Sequence, residues 1–258
     1  MLAGLTGKHI ACAGRLGSGP ALGPPKSAVP ERLAVAGLQP FSTVDFPGQL
    51  AAVVFLQGCP WRCGYCHNPA LQAKGPGEGP RWPVLRDWLQ ARLGRLDAVV
   101  FSGGEPSLDP ALPAVLTELR AMGYRLGLHT AGLAPKRLAE LLPLVDWVGL
   151  DIKTAPTDEL LHDRVTGRVG GLRRVRESLA HLKDSGIAYE LRSTVHPQWL
   201  SDTDVLRLVE ALRDAPRHVL QVARPPDAQG RLTAPAGFPS AALMEAARRI
   251  RGDLLLRS

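Results

Sequence analysis

Ala51-Ala-Val-Val-Phe-Leu56, followed without a break by Gln57-Gly58-Cys59-Pro60-Trp61-Arg62-Cys63-Gly64-Tyr65-Cys66-His67-Asn68-Pro69, decides how the rest of the chain is read. The first six residues are a short apolar run, β-branched at its centre, of the kind that forms a strand buried on both faces. A loop takes over at once and carries three cysteines as C-x3-C-x2-C. A strand that delivers unusual residues at its carboxyl end is the working unit of a parallel α/β sheet, where ligands bind beyond the strand ends.

Working outward, further short aliphatic runs alternate with longer amphipathic stretches. The predicted strands are 51–56, 98–102, 125–129, 146–151, 187–195 and 217–222, with helices near 81–93, 110–122, 135–142, 171–185, 201–214 and 240–251. Repeated βα units imply a parallel sheet. Six of them are too few for a closed eight-fold barrel, so the expectation is an open, partial (β/α)6 barrel of the TIM type. Residues 33–258 would form that one domain. Residues 1–32 are rich in Gly, Pro, Ala and Ser without periodicity; they read as a disordered N-terminal extension or an over-extended start, because such a segment buries too little apolar area to offset its ordering entropy. Cys12 lies inside it, away from any cluster role.

The 258 residues, 45% of them hydrophobic, suffice for a sizeable core. No apolar run approaches the ~20 residues of a membrane span, and the start lacks the basic-then-apolar order of a signal peptide. The expected setting is cytoplasmic. The net charge of +7 could point to nucleic acid, but the basic residues are scattered rather than interleaved with aromatics. The densest runs, Arg173-Arg174-x-Arg176 and Arg248-Arg249-x-Arg251, fall in predicted helices and read as solvated helix faces.

Structural zinc sites want four ligands, usually as two pairs; here only His67 and the distant Cys12 could add to the triplet. A disulfide leaves one thiol over, and nothing marks the chain as secreted. Cysteine-only ligation is the ordinary mode of iron–sulfur clusters, and electron carriers normally use four cysteines. Three in one loop argue for a [4Fe-4S] cluster with one iron left open.

The other predicted strand ends are unusual too. They carry Ser102-Gly103-Gly104-Glu105-Pro106, His129-Thr130-Ala131-Gly132, Asp151-Ile152-Lys153, Glu190-Leu191-Arg192-Ser193-Thr194-Val195-His196-Pro197 and Gln221-Val222-Ala223-Arg224-Pro225. Together with the cysteine loop and Ser42-Thr43-Val44-Asp45-Phe46-Pro47-Gly48, these stretches resemble the radical S-adenosylmethionine (SAM) superfamily. Within it they resemble the glycyl-radical-enzyme activating branch, and most of all the anaerobic ribonucleoside-triphosphate reductase activating proteins. The resemblance runs in order over roughly residues 34–226.

The resemblance implies two cofactors, one [4Fe-4S] cluster held by Cys59, Cys63 and Cys66, and SAM, whose methionyl amine and carboxylate would chelate the open iron. Reductive cleavage would then give a 5′-deoxyadenosyl radical. Tyr65 matches the aromatic position beside the adenine, though it could equally be a packing residue. Gly103, Gly104 and Glu105 match the SAM-binding motif, their glycines permitting close backbone approach and the carboxylate suiting an ammonium; alone, the stretch could be a plain turn. Thr130 would serve SAM or its pocket floor, and His129, in place of an acidic residue of some relatives, puts any monovalent cation there in doubt. A lone strand-end histidine is commonly a hydrogen-bonded structural residue. Asp151 and Lys153 share a strand face, either pointing at the SAM methionyl carboxylate or ribose or forming a buried ion pair. Arg192 matches a position reaching the SAM carboxylate, which a guanidinium fork suits. His196 has no defined role, and the Gln221 to Pro225 stretch would line the side where a partner polypeptide enters.

The implied activity is that of an activase, taking a glycine α-hydrogen from a partner glycyl-radical enzyme, with an electron donor such as flavodoxin or ferredoxin. The rivals are a radical SAM enzyme acting on a small molecule, resembling 7-carboxy-7-deazaguanine synthase, a non-catalytic iron–sulfur electron carrier or sensor, and a zinc-stabilised binding module.

Overall fold

A computed structural model describes residues 29–226 and 231–257. Residues 1–28, with Cys12 and most of the expected extension, lie outside the described residues. Pro30–Arg32 forms a short 3-10 helix at the edge of that segment.

Eight strands in sequence order make one sheet among the described residues: β1 (Val35–Ser42), β2 (Ala51–Leu56), β3 (Ala98–Gly103), β4 (Arg125–Thr130), β5 (Trp147–Asp151), β6 (Ala188–Val195), β7 (His218–Val222) and β8 (Leu255–Arg257). β1 pairs antiparallel with β2, and every later pair is parallel. β1 and β8 are the two edges, so the sheet stays open, as a partial barrel. The crossovers carry α1 (Trp82–Gln90), α2 (Leu112–Ala121), α3 (Pro135–Leu141), α4 (Glu159–Thr166) with α5 (Gly171–Asp184), α6 (Asp202–Ala211) and α7 (Ala241–Ile250). The six predicted strands and six predicted helices are all present; β1, α4 and β8 are additional.

Strand alternation sorts the core into two layers. Ala52, Val54, Leu56, Val99, Phe101, Leu126, Leu128, Val148 and Leu150 face outward and pack with Leu85, Leu89, Leu112, Leu116 and Leu138 of the helices. Ala51, Val53, Ala98, Val100 and Trp147 face inward around Phe46, which the β1–β2 connection inserts into the barrel. Phe46 stacks on Trp147 with ring centroids 5.2 Å apart. This plug fills the barrel below the strand ends and leaves the upper end to polar side chains.

Local signals set the helix ends. The Asp158 carboxylate caps α4 by accepting from the Leu161 amide, and Gly167, at φ 64°, ends it. Ser201 and Asp204 form a capping box on α6. No helix among the described residues is long and apolar enough to cross a membrane. Arg251 departs from the expected solvated face: it is buried just past α7, paired with Asp253 at 2.7 Å and donating to the Leu212 and Arg213 carbonyls.

Candidate functional site

The carboxyl ends of the parallel strands open onto one cleft of about 290 Å³. Cys59, Trp61, Cys63, Tyr65 and Cys66 form one wall; Ser102, Gly103 and Gly104, then His129, Thr130 and Ala131, then Asp151 and Lys153, then Arg192 and Thr194 with Gln221, form the rest. Ten of the eleven site residues expected from the sequence therefore face a common space. Glu105 does not line it.

The cysteine loop is pinned from several sides. Gly58 donates to Leu71 O and Cys59 to Gln72 O, so the loop closes on its own exit, and Cys66 N donates to Cys63 O. His67 Nε2 accepts from the Arg224 amide at 2.7 Å, tying the loop to the end of β7; burial keeps His67 less basic than an ordinary histidine. The three thiols are free of disulfides. Burial raises the thiol pKa of Cys59 to about 11 and also that of Cys63, so coordination to iron would be what draws off these protons.

The Gly103–Gly104 pair meets the chain's own backbone. A Cβ on Gly104 would stand 2.3 Å from Gly58 O, and one on Gly103, at φ +112°, would stand 2.4 Å from Leu56 N. In this packing Gly104 N donates to Leu56 O and Glu105 N to Gly58 O. The glycines thus seat the cysteine loop on β3, a reason for them that differs from close approach to a ligand.

Behind them Glu105 is buried and fully engaged. Its carboxylate accepts from the Ser107 amide and hydroxyl, from Thr130 Oγ1 at 2.7 Å and from the Ala131 amide at 2.9 Å. Burial raises its pKa, against the pull of these donors. Glu105 therefore braces the β4 end rather than presenting its carboxylate to the cleft. Thr130 Oγ1 in turn accepts from Gly132 N.

Lys153 Nζ lies 3.1 Å from Asp151 Oδ2. Burial disfavours the ammonium, but Asp151 and the neighbouring Cys63 and Tyr65 outweigh it, and Lys153 stays charged. Its Nζ also stands 5.9 Å from the centre of the Tyr65 ring. Tyr65 is buried with Leu161, Val165, Val195 and Leu200, and its hydroxyl has no hydrogen-bond partner among the described residues. The packing role expected for it is present, together with a buried phenol left unsatisfied at the cleft wall.

Arg192 is held from below. Its Nε donates to Glu190 Oε1 at 2.7 Å, and Glu190, wholly buried, also pairs with Arg217 at 3.0 Å and Arg257 of β8 at 2.8 Å. Burial alone would push the Glu190 carboxyl up, yet the guanidinium groups of Arg192 and Arg257 bring it below the usual range. Arg192 Nη1 meets His129 Nε2 at 2.9 Å, while Nη2 makes only a 3.4 Å contact with Asp45 O. His129 Nε2 also lies 2.8 Å from Asp45 O, and Nδ1 lies 3.2 Å from Ser102 Oγ, so the ring bridges Arg192, Asp45 and Ser102. Burial and Arg192 keep His129 neutral.

Asp45 and His67 are parts of this site that strand-end reading does not assign. Asp45 acts through its carbonyl, which any residue type supplies. His196 stands outside the cleft, its Nδ1 accepting from Gln198 N. Arg224 joins the site through its backbone amide, and its charge helps keep His67 less basic.

The donor set fits an iron–sulfur cube better than a single ion. Among the described residues no three His, Cys, Asp or Glu side chains converge closely enough to hold one metal ion, whereas a cube meets each thiolate through a separate iron. Beside the thiols lie an ammonium–carboxylate pair and a guanidinium, groups complementary to a zwitterionic amino acid.

Comparison with known proteins gives the same direction. The profile of the Radical SAM superfamily matches residues 53–212. The chain is 27% identical over 201 residues to a Methanocaldococcus jannaschii protein provisionally named a glycyl-radical enzyme activating enzyme, covering 75% of this chain and 81% of that one. It is 31% identical over 193 residues to the pyruvate formate-lyase-activating enzyme of Streptococcus mutans, covering 69% and 72%. In fold it resembles Streptococcus suis SuiB bound to its precursor peptide SuiA, with a TM-score of 0.61 at 15% identity over 80% of this chain, and spans about half (48%) of that longer structure. The chain belongs to the radical SAM superfamily, in its glycyl-radical-enzyme activating branch.

Proposed function

We propose that this chain installs a glycyl radical on a partner enzyme, by abstracting the α-hydrogen of one glycine, and that the partner is an anaerobic ribonucleoside-triphosphate reductase. The observation that carries the reading is the single cleft in which three thiols face the ends of five parallel strands. Cys59, Cys63 and Cys66 would hold the [4Fe-4S] cluster, with SAM bound beside it in the same cleft. When bound, the two supply one-electron cleavage of SAM and, with it, hydrogen-atom abstraction.

The chain's own residues bind, orient and exclude. Lys153 is a buried cation beside Asp151, suited to a carboxylate, while Asp151 suits an ammonium or ribose hydroxyls. Arg192 offers its Nη2 edge, since Nε is committed to Glu190 and Nη1 lies against His129. Thr130 and the Gly103–Gly104 backbone form the floor, Glu105 fixes Thr130 from behind, and the Tyr65 segment lies where the adenine would rest. The Phe46–Trp147 stack fills the barrel interior below the cleft with apolar side chains. Residues 33–258 act as one catalytic domain, with 1–32 as an extension, in a cytoplasmic setting where thiols stay reduced.

The partner reading rests on the Ser42 to Gly48 and Cys66 to Pro69 stretches; relatives named for pyruvate formate-lyase supply the competing partner. The test is to load the chain anaerobically with iron and sulfide, add SAM, a reductant and either enzyme, and record electron paramagnetic resonance spectra. The expected result is a glycyl doublet on the reductase. A doublet only on pyruvate formate-lyase would move the partner, and turnover of a free purine analogue with no protein radical would end the activase reading.

A further inference from the structure

Leu160 and Val169 are the most exposed large hydrophobic side chains among the described residues, at 86% and 92%. Both belong to the segment that leans on the cysteine loop. Leu160 is one helical turn from Arg164 on α4, and Val169 follows Gly167 and Arg168 in the α4–α5 connection. Two contacts fasten this segment and loop together, the Arg62 amide donating to Thr166 O at 2.8 Å and Arg168 Nε donating to Pro60 O at 2.9 Å, while Arg62 Nη1 donates to Cys59 O within the loop at 2.6 Å.

The charge around the two apolar side chains is one-sided. Arg164, Arg168, Arg173 and Arg174 on this segment and Arg62 on the loop are all exposed, and neither Arg173 nor Arg174 has an ion pair among the described residues. Of the nearby acids, Asp163 accepts from Gly170 N, Asp158 caps α4, Glu159 pairs with Arg176 at 2.9 Å and Glu177 stands 4.0 Å from His181, so arginines outnumber acids on this face. Apolar side chains rimmed by arginines have the composition of a docking surface rather than of ordinary solvent-facing protein. Leu160, Arg164, Arg168, Val169, Arg173 and Arg174 are absent from the cleft lining. An occupant here would touch the loop that carries Cys59 while leaving the cleft free.

We infer that this face docks an acidic one-electron carrier protein, an inference that rests on the activase reading, in which the cysteine site must be reduced from outside. One electron would leave the reduced carrier, which is oxidised by one, and would reduce by one the [4Fe-4S] cluster that Cys59, Cys63 and Cys66 would hold; no atom is transferred. Complementary charge steers the encounter, and the apolar pair supplies the short-range contact.

The test compares cluster reduction by reduced flavodoxin, an acidic flavin carrier, with reduction by dithionite, in the cluster-loaded wild type and in two surface variants, Arg173→Glu/Arg174→Glu and Leu160→Ser/Val169→Ser. Expected is a loss of about tenfold or more in the flavodoxin rate for the charge variant, a smaller loss for the apolar one, a wild-type rate that falls with added salt, and unchanged dithionite reduction. Wild-type flavodoxin rates in both variants would overturn the docking face, as would equal losses with dithionite, which mark a structural effect. A wild-type chain that loads no cluster would instead overturn the reading of the site, and the docking inference would fall with it.

Discussion

At Gly104 a single missing methyl group decides whether the cysteine loop can sit on β3, because the space a Cβ would take is filled by Gly58 O at 2.3 Å. Gly104→Ala is therefore expected to cost about 1–3 kcal/mol, as overpacking generally does, and to lower the iron and sulfide bound per chain. Gly75→Ala, in the β2–α1 connection that carries the cysteine loop and with nothing within 4 Å, is the neutral control. Thermal unfolding with iron and sulfide counting checks both, and full loading with an unchanged Tm in Gly104→Ala would contradict the packing account. The same residue shows how far the sequence could be read. Two adjacent glycines after a strand announce a close approach, but not what approaches; that the neighbour is backbone from residues 56–58 needs the fold. Glu105 is similar: its position after the glycines was legible, whereas its four donors, two of them about 25 residues away in sequence, were not. The Arg192–Glu190–Arg257 contact spans 67 residues and leaves no local trace.

Among the elements, those with strong periodicity were legible and the weak ones were not. β2 to β7 are apolar runs bounded by turns, and each was located within two residues of its observed limits. β1 hides because Pro40 interrupts it and three consecutive residues face solvent, and β8 is only three residues long with two of them largely exposed. α4 is short, and its outward Leu160 blurs the apolar stripe. β7 carries a pH-dependent feature of its own. His218 is buried with Nε2 2.9 Å from Ser193 Oγ, and since Ser193 donates to Ile152 O, Nε2–H donates to Ser193 and Nδ1 has no partner. Burial foremost, then Arg251, lowers its pKa to about 4. The unfolded chain takes up this proton near pH 6.5, the folded chain near pH 4, so stability is fully present above pH 6.5 and declines as pH falls between the two. His218 alone accounts for about 2 kcal/mol between pH 7 and pH 5. Denaturant unfolding at the two pH values should show a smaller loss in His218→Gln than in wild type; equal losses would mean that His218 is not held neutral.

On the scale of the whole molecule, the open sheet separates three tasks. The Phe46–Trp147 layer fills the bottom of the barrel, the strand ends above it gather the cysteine loop and the polar residues into one cleft, and the arginine-rich α4–α5 face stands beside that loop outside the cleft. The net charge of +7, which by itself could suggest nucleic acid, is here partly explained by the arginines around Glu190 and by those next to the cysteine loop. An electron carrier with three cysteines and a radical SAM enzyme would share the cluster; only the second needs the charged groups on the opposite wall. The decisive measurement is to incubate the cluster-loaded chain with dithionite and SAM and quantify 5′-deoxyadenosine and methionine. Equal amounts of the two products from the wild type, and none from Cys59→Ala, Cys63→Ala or Cys66→Ala, are expected. A fully loaded wild type that leaves SAM intact, or a cysteine variant that cleaves it at the wild-type rate, would contradict the assignment.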